Sequence, residues 1–79
     1  MNSIASLPYW FDEDVVAAKL HNGTELEQRE LDALVCFYMN YRHNDTDCWN
    51  AFVTVRGRHY KIKYYRVDGE YAYEQPEVT

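Results

Sequence analysis

No stretch of this chain approaches the ~20 consecutive apolar residues of a membrane-spanning helix, so nothing in it predicts a span. Glycine is scarce, three residues in 79. One falls at an expected helix stop and two at expected turns, which leaves none for a phosphate-cradling loop. G-x-S-x-G and H-E-x-x-H are both missing, so the common hydrolase and metalloprotease signatures are excluded. The two cysteines, Cys36 and Cys48, match no C-x-x-C or zinc spacing. They are expected as reduced thiols, with Cys36 buried on a helix and inert there. Residues 1–8 lack a basic segment followed by an apolar one, so no secretory signal is expected and a cytoplasmic location follows. On that reading Asn22-Gly23-Thr24 and Asn44-Asp45-Thr46 are loop sequences, not glycan acceptors.

Apolar residues make up 47% of the chain, enough for a folded core. A chain of this length makes one domain, residues 1–79, and its stability is expected to be only a few kcal/mol. Tyrosine is abundant, with eight copies. Its apolar ring and polar tip suit half-buried sheet faces and binding surfaces. The net charge of −5 is unevenly spread. Residues 1–47 hold nine acids against three bases, a charge of −6, whereas residues 48–79 hold five bases against four acids, a charge of +1.

Residues 1–10 read as an N-terminal arm. Asp12, Glu13 and Asp14 then open a helix to about His21, since a capping acid and the helix dipole both favour negative charge there. Asn22-Gly23 stops it. Thr24 and Glu27 have capping-box spacing, and the helix they open is expected to run to about Arg42. From Ala33 to Met39 it is apolar nearly all round, which predicts burial on most sides, with Phe37, Tyr38 and Tyr41 in the core. A polar connector, residues 43–47, leads to strands. Gly57-Arg58 predicts a two-residue turn of type II′ and Asp68-Gly69 one of type I′. Counting back from these turns sets Val55 against Tyr60, Val53 against Ile62, Ala51 against Tyr64, and Tyr64 against Tyr73. Trp49 and Tyr71 then both align with Arg66 at the margin of this core face. Residues 75–79 read as a frayed tail. The expected fold is α+β, two N-terminal helices on one face of a three-stranded antiparallel meander, ααβββ.

Two surfaces are candidates for binding. Asp12, Glu13, Asp14, Glu25, Glu27 and Glu30 form an acidic helical surface able to steer a basic protein partner, although caps and dipoles account for many of these acids. Arg56, Arg58, His59, Lys61 and Lys63 cluster on the first hairpin among Phe52 and Tyr65. Cations beside exposed rings suit phosphates and stacked bases, so this outer sheet face is the alternative nucleic-acid site. His43, Asp45, Asp47 and Cys48 lie close together, but lack the glycine and terminal glutamate of a calcium loop. No metal, cofactor or catalytic residue is expected. Tyr9, Trp10 and Phe11 form either a hydrophobic lid or an anchor for a partner or second copy, so a monomer and a homodimer are both compatible.

A compact, acidic, tyrosine-rich domain without enzymatic motifs resembles, in size and composition, the small phage or mobile-element proteins that inhibit host machinery, anti-CRISPR proteins among them. That resemblance implies a non-enzymatic, stoichiometric inhibitor or modulator of a larger protein or nucleoprotein complex. The alternative is a nucleic-acid-binding module using the basic, aromatic sheet face.

Overall fold

The computed structural model describes residues 7–79; residues 1–6 of the expected arm lie outside the described residues. Helix α1, Glu13–Asn22, starts as its sequence predicts. Asp12 Oδ1 accepts from the Asp14 N–H at 2.9 Å, and Gly23, at φ 72°, closes the helix in the left-handed region.

Helix α2, Gln28–Tyr38, is shorter at both ends than expected. Its cap is Glu27, three residues beyond Thr24: Glu30 Oε1 accepts from the Glu27 N–H at 2.8 Å. The displacement has a long-range cause. Both backbone groups of Leu26 are taken by the Gln75 side chain, whose Oε1 accepts at 2.8 Å and whose Nε2 donates at 3.0 Å. Leu26 and Leu31 are core residues at the two positions where apolar side chains brace a helix start.

At its other end α2 passes without a loop into β1, Met39–Asn44, instead of continuing to Arg42. The strand pairs with β2, Trp49–Val55, which would otherwise present an open edge. Tyr41 faces Phe52 and His43 faces Asn50, with a bulge at Asn40. The sheet therefore has five strands, not three: β1-β2-β3-β4 in order, with β3 Arg58–Val67 and β4 Glu70–Tyr73, and a short fifth strand that also pairs with β3. The architecture is α+β.

The first hairpin turns at Arg56-Gly57, both at positive φ (51° and 80°), not at Gly57-Arg58. That is a type I′ arrangement, whose twist matches the flanking strands. Its pairing sets Val55 against Arg58, Val53 against Tyr60, Ala51 against Ile62 and Trp49 against Tyr64. The expected register is displaced by two residues, so every side chain keeps its face while its partner changes. The second hairpin has the expected register, Tyr64 against Tyr73 and Arg66 against Tyr71.

Residues 75–79 are not frayed. Strand β5, Glu77–Val78, pairs with Tyr60 and Lys61 of β3, and the Thr79 N–H donates to the His59 carbonyl at 3.1 Å. The core lies between the helices and the inner sheet face, with Leu31, Leu34, Ile62, Val16 and Val53 its largest fully enclosed side chains. Burying each contributes roughly 1.5–3 kcal/mol. Cys36, Phe37 and Tyr41, expected inside, are exposed. The first two sit on the outward side of α2, and Tyr41 lies on the opposite sheet face from the helices.

Candidate functional site

The acidic residues of the helices are largely engaged within the chain. Asp12 caps α1. Glu13 accepts from the Tyr38 hydroxyl at 2.5 Å and from Arg56 Nε at 3.0 Å, and these two bonds hold its carboxyl below the usual range. Burial, then the Glu13 contact, pushes the Tyr38 hydroxyl up to about 12. Asp14 also accepts from Arg56, and Glu27 accepts from Arg29 Nε at 3.1 Å. Glu30 is 8% exposed and receives Lys19 Nζ at 2.8 Å. Burial works to raise its pKa, but the Lys19 and Glu27 hydrogen bonds outweigh it and hold the group low. Of the six acids predicted as a surface, Asp12, Asp14, Glu25 and Glu27 stay exposed.

The predicted basic cluster divides. His59, Lys61, Lys63, Phe52 and Tyr65 share the outer sheet face through the alternation of β2 and β3. Arg56 sits at the turn and reaches α1 instead. Arg58, paired with Val55, lines a groove of about 440 Å³ between α1 and the hairpin, whose walls include Ala17, His21 and Tyr60. On the outer face Tyr41 stacks on Phe52 (4.7 Å between ring centres, 12° between planes), and His43 meets both rings edge-on at 5.5 and 5.6 Å. Thr54 Oγ1 lies 2.9 Å from His59 Nδ1 and accepts from Asn40 Nδ2 at 2.7 Å. Lys61 is 3.5 Å from Glu77. The β1 contribution is invisible in a sequence reading that assigns Tyr41 to a helix and His43 to a connector.

The densest constellation is on the inner face, at the end of the sheet away from the Arg56-Gly57 turn. Register places Trp49, Tyr64 and Tyr73 side by side on three neighbouring strands, with Tyr71 and Arg66 next in line. Tyr64 stacks between Trp49 at 5.4 Å and Tyr73 at 5.3 Å, while Tyr71 meets Trp49 and Tyr64 edge-on at 6.0 and 5.6 Å. Arg42 lies 5.8 Å from the Trp49 ring centre and its Nη1 donates to the Tyr64 hydroxyl at 3.3 Å. Arg66 lies 5.2 Å from the Tyr71 ring centre and donates to the Gly69 carbonyl at 3.2 Å. The Tyr73 hydroxyl donates to Asp32 of α2; burial and that bond push it well above the ordinary tyrosine range.

Tyr64 and Tyr73 are buried, and the row opens to solvent beyond them. Tyr71 is 49% exposed, Trp49 is half-buried, and Arg42 and Arg66 are exposed. The sequence signal for this site, Trp49, Tyr71 and Arg66 converging on one face margin, is present, but Arg42 is hidden by its expected place at a helix end. Chemically the patch offers ring faces and oriented cations. Cys36, 3.9 Å from Asp32, is no activated nucleophile, because partial burial and that carboxylate push its thiol up. Among the described residues no group of three or more His, Cys, Asp or Glu side chains is arranged to hold a metal ion, and no helix is long and apolar enough to cross a membrane. Comparison of this chain with protein-family models, with curated proteins and with solved structures finds no match.

Proposed function

We propose that this chain is a small non-enzymatic binding protein that acts stoichiometrically, by occupying a surface on a larger protein or nucleoprotein complex. The style is that of phage or mobile-element inhibitors such as anti-CRISPR proteins. The observation that carries this reading is the partly exposed Trp49–Tyr71 patch with its flanking, exposed Arg42 and Arg66. Tryptophan, tyrosine and arginine are the residues that dominate binding energy in protein interfaces, and a rigid stacked cluster loses little entropy on docking. The exposed helix acids, Asp12, Asp14, Glu25 and Glu27, lie outside this patch and supply long-range steering toward a partner with basic surface nearby.

The test is capture from native-host lysate, with and without nuclease, followed by reconstitution with the purified partner. A partner retained after nuclease treatment, binding in fixed stoichiometry, is the expected result. Tyr71→Ala is expected to weaken the complex by about 2 kcal/mol, roughly 30-fold, while the circular dichroism spectrum stays unchanged. Substrate turnover, or a partner indifferent to Tyr71→Ala and Arg66→Ala, would sink the reading.

One observation favours a second reading. Phe52, His59, Lys61, Lys63 and Tyr65 do share an uncovered face, as a sheet platform for single-stranded nucleic acid requires. Capture that vanishes with nuclease, and falls with Lys61→Glu plus Lys63→Glu, would select it.

A further inference from the structure

Resting on the reading of the Trp49–Tyr71 patch as a protein interface, we propose that its occupant is an extended acidic segment of the partner. Its carboxylates sit on Arg42 and Arg66, and an intervening apolar or aromatic side chain lies over Trp49 and Tyr71. Arg29 and Arg56 are ion-paired to glutamate or aspartate, whereas Arg42 and Arg66 have no carboxylate within ion-pair distance among the described residues. Each instead spends one hydrogen bond on a neutral oxygen and sets its guanidinium carbon near a ring centre, at 5.8 Å for Arg42 and 5.2 Å for Arg66. A guanidinium fixed by one hydrogen bond beside an aromatic ring keeps its remaining N–H donors for a carboxylate, which it grips by two parallel bonds. The charge and the donors are thus oriented and unused.

Spacing specifies the segment further. Arg42 is opposite Ala51, which is opposite Ile62, and Arg66 lies farther along the same strand as Ile62. Strand rise and strand separation put the two backbones about 16 Å apart. An extended chain covers that in four to five residues at about 3.3 Å each. Side chains on one side of an extended chain recur every second residue, so an acid-x-aromatic-x-acid pattern presents all three groups to the patch.

Charge also selects against a polyanion. The turns at this end of the sheet carry Asp45 and Asp47 before Trp49, and Asp68 and Glu70 beside Arg66. These repel a continuous row of phosphates, with a charge at every nucleotide, more strongly than a segment that carries only two carboxylates, within a Debye length of about 10 Å.

The probe is the capped peptide Glu-Thr-Tyr-Thr-Glu, titrated at low salt into the isotope-labelled chain, with Gln-Thr-Tyr-Thr-Gln as its uncharged control. Expected are NMR shifts at the Trp49 indole and the Tyr71 amide, and a tenfold or greater loss of affinity for the control peptide. Arg42→Gln and Arg66→Gln should each produce a comparable loss; both side chains are exposed, so the fold is retained, and either variant alone suffices. Equal binding of the two peptides, shifts outside the patch, or tighter binding of oligothymidylate at the same residues would each overturn the proposal. The interface reading has its own readout. If Tyr71→Ala still abolishes partner capture while both peptides are ignored, the surface stands and the acidic segment falls.

Discussion

Glu30 sits at the third position of α2, almost enclosed, and serves two masters: the Glu27 N–H that starts the helix and the Lys19 ammonium of α1. Glu30→Ala removes cap and ion pair together and is expected to cost about 2 kcal/mol in urea unfolding. Glu30→Gln keeps an acceptor for the cap and should cost about half as much. Arg56 presents the opposite trade. Its φ of 51° is a region that suits asparagine or glycine better than arginine, and only its reach to Glu13 and Asp14 explains its use there. Arg56→Asn should therefore melt at a higher temperature than Arg56→Ala. Both should lose amide protection in the first turn of α1, which NMR exchange would register.

Legibility in the sequence follows the range of the forces involved. The start and stop of α1 rest on neighbours within four residues, Asp12 with Asp14 and Gly23 with Lys19, and both are readable. The inner and outer faces of β2 and β3 are readable too, because moving the turn by one residue shifts the register by two and leaves alternation intact. Strand β1 is not, since Met39–Asn44 becomes a strand only by pairing with the distant residues 49–53 of β2. Neither is the tail: the Gln75–Leu26 bonds join residues 49 positions apart. The candidate patch was half-visible for the same reason, Arg66 and Tyr71 being paired by a local turn while Arg42 arrives on the unforeseen strand. Gln75→Ala is expected to cost about 2 kcal/mol, because both partly buried backbone groups of Leu26 lose their partner. Denaturant midpoints measured beside the exposed control Glu74→Ala would check it.

For the molecule as a whole, pH should bound stability on both sides. Glu13 and Glu30 have folded-state pKa values below those of an unfolded glutamate, about 4.3. Their contribution is complete above that value and is lost as pH falls through the lower folded ones. Tyr38 and Tyr73 are raised above the unfolded tyrosine value, about 10. Theirs is complete below about 10 and lost as pH climbs through the folded values. A plot of melting temperature against pH is expected to be flat between about 5 and 9 and to fall at either end. Glu30→Gln should soften the acid limb and Tyr73→Phe the alkaline one. With a margin of only ~5 kcal/mol for so small a domain, Leu34→Ala in the enclosed core, at about 3 kcal/mol, should bring unfolding close to body temperature.

The grip of Gln75 on Leu26 also supplies a clock. Leu26 precedes its helix and belongs to no strand, so the hydrogen bond that protects its amide proton comes from that one distant side chain. Its exchange rate therefore times the opening of the chain's last segment, separately from the slower amides of β2 and β3 that wait for the entire molecule to open.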